Sequence, residues 1–338
     1  MSFNKILFVG HKYDKNSPEF GLIYYSFYKA IKNISNDLKS FFFEDYKNEE
    51  RDLSLIKFQE KYQPDLIIFV YQLGQLEFKT LLKLKESKSI TVNFYGDDCW
   101  RFSSFTLKTF HLFDFVVSFD DSKINEYKKN KISNVMFSQW GAVSKFKVEE
   151  ISDEFDYDVT FIGAKTQIRE WMIYKLKKNS INVTCFGKGW NNGIISFDKM
   201  KTINSRSKIC LDLPNSISYD VRFIFKYPIG LYRLLKQFFL KNLKDDDGIK
   251  ARIFEITSMG GLLVTYYDSR ITNYFKIGKE IYCYNNINDL ITLIKRILNN
   301  PIEAKSIRLK GFNRAINHHL YENRFIEIFD NIKTQISK

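Results

Sequence analysis

Long uncharged apolar runs are missing from this sequence. None approaches the ~20 residues needed to cross a bilayer, and a strand pattern begins as early as Lys5, which leaves no room for a secretory signal. The expectation is a cytoplasmic protein, soluble or peripheral at the inner membrane face. Cysteine is scarce: Cys99, Cys185, Cys210 and Cys283 stand apart, without a C-x-x-C pair and without histidine at ligand spacing. That excludes a disulfide framework and a structural zinc site, and it fits a reducing compartment. There is no clean G-x-G-x-x-G, so the glycine fingerprint of dinucleotide binding is absent. There is also no Arg-rich tail or block. The 52 Lys and Arg residues against 39 Asp and Glu give a net charge of +13, but they are spread along the chain. Such a surface attracts phosphate in any form. No basic stripe carries regularly spaced aromatics, so nucleic acid is not expected as a partner.

What is present is a globular pattern. Over 338 residues, 44% are apolar, and that length suits two α/β domains of about 150 residues each. The aromatic content of 17% is assigned no function. Short apolar runs ending near glycine or polar loops recur: Lys5–Gly10, Asp65–Tyr71, Ile90–Tyr95, Phe115–Phe119 and Val135–Gln139. Helical stretches lie between them, at Leu22–Ile31, before Lys85 and at Ser122–Lys129. This is how strands of a parallel sheet read, buried on both faces and each followed by a helix. After Trp140 the chain turns acidic and reads as a linker. A second series follows at Asp158–Gly163, Ile181–Gly187, Lys208–Leu213, Gly261–Thr265 and Glu280–Tyr284, with helices over Arg169–Lys178 and Arg252–Met259. From Pro301 onward the sequence reads as helix throughout. The expected domains are residues 1–148, 155–312 and a C-terminal helix over 313–338 packing back towards the first domain.

Several segments offer ligand chemistry. Gly163-Ala-Lys-Thr-Gln-Ile-Arg169 places a glycine turn after a strand, with Lys165 and Arg169 behind it. Such a loop presents backbone N–H groups and a helix start to a pyrophosphate, though a lone glycine after a strand is also a plain turn. In Lys250–Gly261, Arg252 and Glu255 lie three apart and share a helix face. They read either as a surface ion pair or as a cation for phosphate beside a carboxylate for ribose hydroxyls, and spacing does not separate the two. In the N-terminal half, Gly96-Asp97-Asp98 follows a strand at the edge where ligands bind. Asp97 or Asp98 could take a proton from an acceptor hydroxyl, or simply cap a helix. His11, after the first strand, is a second candidate base, and His111 a weaker one. An Asp-x-Asp stands in the run Asp245–Asp247, read here as the start of a helix and not as a metal site. Residues 221–244 interleave Phe, Tyr and Leu with Arg222, Lys226, Arg233, Lys236, Lys241 and Lys244. That is a buried helix with a basic edge, or an amphipathic surface helix drawn to anionic lipid.

The stretch K-A-R-I-F-E-I-T-S-M-G-G-L-L-V-T-Y-Y-D, then N-Y-F-K-I-G-K-E-I-Y-C-Y and N-D-L, resembles the C-terminal signature of GT-B glycosyltransferases of the spore-maturation-protein type. The family tail G-x-x-R-x-x-x-x-H-x-Y-x-x-R is matched in order by Gly311, Arg314, His319, Tyr321 and Arg324, with Arg314 and His319 five apart. D-V-T-F-I-G-A-K-T-Q-I-R and C-F-G-K-G-W resemble the family's first nucleotide-domain unit. The resemblance covers about residues 155–330 and is much less specific before that.

It implies a GT-B fold, two Rossmann-like domains facing each other across a cleft. The donor would be held by the C-terminal domain and the acceptor mostly by the N-terminal one. Glu255 matches the glutamate expected at donor hydroxyls, and Lys250 and Arg252 match basic positions near the donor phosphates. With Gly163, Lys165, Arg169, Gly187, Gly260 and Gly261 they form the expected donor site. The second glutamate of related retaining enzymes is here Asp247, which leaves the stereochemistry open. The implied function is transfer of a sugar from a nucleotide sugar, UDP by family habit, to a glycan, lipid-linked or protein acceptor, with no metal or other cofactor. A nucleic-acid-binding protein, a degenerate binding module and an epimerase are the alternatives.

Overall fold

Strand β1, Lys5–Gly10, carries five buried residues in succession. A strand covered on both faces needs apolar side chains on both. It pairs in parallel with β2 (Asp37–Phe42) and β3 (Leu66–Phe69). Then come β4 (Ile90–Tyr95), β5 (Phe115–Ser118) and β6 (Val135–Phe137), all parallel, giving the order β2-β1-β3-β4-β5-β6. Strand β2 is not anticipated by the sequence pattern. It is an edge strand whose first four residues, Asp37 to Ser40, stay partly or fully exposed, so polar residues are tolerated there. The helix Asn48–Tyr62 is equally unannounced, because only Leu55, Ile56 and Tyr62 are buried along it. Leu7, Val9, Phe41, Ile67, Phe69, Phe113 and Val116 make the core of this sheet.

The structure, a computed structural model, describes residues 3–14, 19–96, 98–214 and 248–337. It divides into two compact units, one of residues 1–143 with 321–338 and one of residues 144–320. The final helix, Tyr321–Ile336, belongs to the first unit. There the Tyr321 N–H donates to the Ala142 carbonyl at 3.1 Å, and the Phe325 ring packs on Phe27 and Phe94.

The second unit repeats the plan with β7 (Tyr157–Ile162), β8 (Thr184–Phe186), β9 (Ser207–Asp212), β10 (Leu263–Tyr266) and β11 (Tyr282–Tyr284). All are parallel, in the order β11-β10-β9-β7-β8. The helix Gln167–Lys178 buries Trp171, and Ile287–Asn299 buries Leu290 and Ile294, against this sheet. The segment expected to be a free linker is pinned. Arg308, 2% exposed, donates to the carbonyls of Ser152, Ser205 and Gly260. The terminal stretch is not one helix either: Pro301–His318 ends at His319. There the Nε2–H of His319 donates to the Tyr274 carbonyl at 2.8 Å, and Nε of Arg314 reaches the same oxygen at 2.9 Å. The tail motif thus brings two side-chain donors to one backbone carbonyl.

In both sheets a strand order of 2-1-3-4-5 reverses direction beside the first strand, between β1 and β3 and between β7 and β9. In open parallel sheets ligands bind beyond the carboxyl ends of the strands at such a reversal. Among the described residues no helix is long and apolar enough to cross a membrane. Residues 221–244, Asp97 and the Asp245–Asp247 run lie outside the described residues.

Candidate functional site

At the reversal in the second unit, β7 gives way to Gly163 and β9 ends on Asp212. The helix Ala251–Ser258 brings Arg252 to the same place, where its Nη1 donates to Asp212 Oδ1 at 2.7 Å. The second oxygen of Asp212 accepts from Thr265 Oγ1 at 3.1 Å, and its backbone carbonyl accepts from the Tyr284 hydroxyl at 3.2 Å. The guanidinium lies so close to Gly163 that a Cβ there would stand 3.1 Å from Nη2.

One turn further along the helix is Glu255. The residue is half-buried, but its side chain is set in a small cavity of about 10 Å³ with Thr160, Ile162, Asn204 and Arg252. Burial pushes its carboxyl up to about 7; Arg252 pulls it back and Asp212 adds to the rise. Among the described residues the carboxyl has no hydrogen-bond partner. A desolvated, unpartnered carboxyl beside an arginine, at the ligand end of a parallel sheet, is a group arranged for an incoming hydroxyl.

The other residues expected at the donor site fall into three groups. Lys165 pairs with Glu170 at 2.8 Å and lies over the Trp190 ring. The Gln167–Lys178 helix behind it has no side-chain cap, and Thr166 Oγ1 is buried without a partner among the described residues. Lys250 stands in extended conformation at the start of its helix, again without a side-chain cap. Arg169 requires a correction. It is 5% exposed, with Nε and Nη2 donating to the Leu213 carbonyl and Nη1 to that of Ala164. It ties the ends of β7 and β9 together and does not face a phosphate. The glycines are likewise structural. Gly187, at φ +120°, lies against Gly163, where a Cβ would come within 2.4 Å of the Gly163 carbonyl oxygen. Gly260, at φ +73°, stops the helix, and Gly261 packs on Cys210 and Ile256. Asp212 and Thr265 were missed by the sequence reading. The only signal was an acid closing an otherwise apolar strand, Lys208–Leu213.

In the first unit His11 follows β1 directly. Its Nδ1 lies 2.9 Å from Glu44 Oε1, and its Nε2 lies 2.7 Å from Gln75 Nε2. Gln75 Oε1 accepts the Gln72 N–H at 2.7 Å, so its amide nitrogen is the end that faces the ring and donates. The imidazole then carries its proton on Nδ1, directed at Glu44. Burial works against ionisation of Glu44, but the backbone N–H donors and His11 outweigh it, and its carboxyl is lowered. Asp98 requires a second correction. It is 1% exposed and accepts from Thr106, Ser118 and Tyr127 hydroxyls, so its oxygens are spent on internal donors. Burial raises its carboxyl above the ordinary range. Asp97 lies outside the described residues, and His111 is exposed in a short turn. Beside Asp98 a cavity of about 170 Å³ opens at the carboxyl ends of β3 and β4, walled by Tyr71, Tyr95, Phe105 and Trp140 with Gln72 and Arg101 at its border.

Residues 167–330 match the family model described as glycosyl transferase-like. No curated protein matches the sequence. Among solved structures, sucrose-phosphate synthase from Thermosynechococcus elongatus is similar with a TM-score of 0.62 at 11% identity, covering 99% of each chain. HepE from Anabaena, solved with UDP, is similar with a TM-score of 0.57 at 9% identity, over 98% of this chain and 99% of that one. TarM is similar with a TM-score of 0.54 at 12% identity, over 83% of this chain and 58% of that one. Two parallel, doubly wound units give the chain the GT-B fold of these structures, and its residues 167–330 match the glycosyl transferase-like family model.

Proposed function

We propose that the protein transfers a sugar from a UDP-sugar to a glycan, lipid-linked or protein acceptor. The observation that carries this reading is Glu255, a desolvated carboxyl without a hydrogen-bond partner among the described residues, one helical turn from Arg252 at the reversal of the second sheet. Glu255 accepts hydroxyls of the donor's ribose or sugar, and Arg252 with Lys165 faces its diphosphate. The starts of the helices Gln167–Lys178 and Ala251–Ser258, neither with a side-chain cap, present backbone N–H groups to the same anion. HepE structures hold UDP and UDP-glucose, which supports uridine as the nucleotide here. Because cations and helix ends can neutralise a leaving diphosphate once they are aimed at it, no metal is required in this reading.

On the acceptor side, His11 takes the proton of the attacking hydroxyl at Nε2, the nitrogen left without hydrogen when Nδ1–H points to Glu44. Gln75 must yield that lone pair as the acceptor arrives. The aromatic cavity beside β3 and β4 receives part of the acceptor. A peripheral position at an anionic membrane surface, through residues 221–244, belongs to the same reading.

Thermal unfolding with nucleotides tests it. UDP and UDP-glucose at about 100 times Kd add roughly 2.7 kcal/mol to stability, whereas a ligand that does not bind adds none. Stabilisation by duplex DNA but not by UDP would end this reading. UDP-glucose that binds but is never turned over, with any acceptor, would mark a degenerate binding module.

A further inference from the structure

Arg252 is the cation best placed for a diphosphate, yet the structure gives it an acidic neighbour. Its Nη1 is held at 2.7 Å by Asp212, 8% exposed and itself fixed from two other directions, by Thr265 Oγ1 on the free oxygen and by the Tyr284 hydroxyl on the backbone carbonyl. Such a carboxylate has two opposite effects on an anion-binding arginine. As a charge it offsets the guanidinium and opposes the diphosphate. As an anchor it fixes one arm of a planar fork and removes the rotamer freedom that binding would otherwise have to freeze.

The surroundings favour the anchor. Among the described residues Nε and Nη2 of Arg252 make no hydrogen bond, and Nη2 comes so close to Gly163 that only a residue without Cβ fits there, a Cβ standing 3.1 Å from Nη2 and 2.9 Å from the Phe161 ring. The guanidinium also stands over the Phe161 ring, 5.8 Å from its centroid. The fork is therefore held by one arm, Nη1, with Nη2 at Gly163, at the end of β7. Asp212 also closes β9 at the rim of the sheet. A carboxylate serving only to neutralise would need neither burial nor a further hydrogen bond on its second oxygen.

We propose that Asp212 is a positioning residue for the donor diphosphate, acting through Arg252. The proposal rests on the donor reading above and extends it to a residue that contacts no ligand itself. The sign of one measurement separates the two effects. If Asp212 anchors, Asp212→Asn weakens UDP binding. If it only neutralises Arg252, the same change strengthens it.

The experiment is calorimetric titration of the full chain with UDP and with uridine, which lacks the phosphates. A charge-assisted hydrogen bond of this kind is among the stronger ones a protein makes. The expected result for Asp212→Asn is therefore a rise in the UDP Kd of roughly tenfold or more, at about 1.4 kcal/mol per decade. Uridine binding changes by less than about twofold, because the effect is confined to the phosphates. In an Arg252→Ala background the same substitution should have no further effect on UDP, since coupled residues are not additive. Thr265→Val, which frees one oxygen of Asp212 and leaves its charge, should weaken UDP in the same direction to a smaller extent, and it serves where Asp212→Asn fails to fold. Unchanged or tighter UDP binding in these variants overturns the proposal. So does an equal loss for UDP and uridine, which would mean general damage to the site. A wild-type protein that binds neither compound instead overturns the donor reading itself.

Discussion

Gly96 meets Trp140 at the end of β4 so closely that a Cβ on the glycine would lie 2.8 Å from the indole. The indole also packs on Phe119, with ring centroids 4.4 Å apart, so it has little room to retreat except into the neighbouring cavity. Gly96→Ala should therefore cost about 1–3 kcal/mol, as overpacking does. It should also narrow the cavity that Trp140 walls. Denaturant unfolding followed by tryptophan fluorescence checks the first part; a midpoint equal to wild type would show that the ring moves freely.

Glu255→Gln should stabilise the protein and disable it together. The folded-state pKa of about 7 lies above the ordinary 4.5. The folded state thus holds the extra proton between those values, and stability falls as pH rises through that window. The ionised carboxyl costs up to about 3 kcal/mol above pH 7 by the usual conversion. Glutamine removes the cost at pH 8 and changes little at pH 4. Donor turnover should drop by roughly 10²-fold, the scale of one preorganised polar group. Melting curves at the two pH values, paired with UDP release, are the measurement. Higher turnover, or a variant destabilised at pH 8, would remove Glu255 from the site.

Asp98 should matter for folding more than for chemistry. Asp98→Ala leaves the Thr106, Ser118 and Tyr127 hydroxyls without their acceptor in the interior. Buried unsatisfied groups cost about 1–3 kcal/mol each, so the unfolding midpoint should fall by an amount equal to several kcal/mol. Asp98→Asn, which keeps the shape, should retain most activity. Loss of activity with full stability in that variant would return Asp98 to the role of base.

Chelation should leave turnover unchanged if side chains and helix ends carry the diphosphate charge. The assay is UDP release before and after EDTA treatment and dialysis. Activity abolished by the chelator and restored by Mn²⁺ would assign the Asp245–Asp247 run a ligand role.

Residues 221–244 combine cations with large apolar side chains. Each Lys or Arg near an anionic membrane contributes roughly 1 kcal/mol. The protein should sediment with anionic vesicles at low salt, less so at high salt, and less after Arg233, Lys236 and Lys241 are changed to Gln. Equal binding to neutral vesicles, or none, would leave the segment without this role.

Ten of the eleven strands among the described residues could be read from the sequence because each is a short, largely apolar run with buried positions, as in Leu7, Phe8 and Val9 or Phe115 to Val117. Burial on two sides demands apolar residues at consecutive positions, and that demand is visible without a structure. Strand β2 escaped because one edge of a sheet makes no such demand on Lys39 or Ser40. At the site, the nearness of Arg252 to Glu255 is written in helical spacing, since a turn of helix relates residues close in sequence. What Arg252 leans on is not written there. Asp212 stands 40 residues away at the end of a strand, Glu44 reaches His11 across 33, and Arg169 turns from a prospective phosphate cation into a tie between strand ends once the carbonyls of Ala164, Leu213 and Pro214 surround it. Local spacing determines which side chains share a face, but only the packing of distant strands decides which charges are spent within the protein and which remain for a ligand.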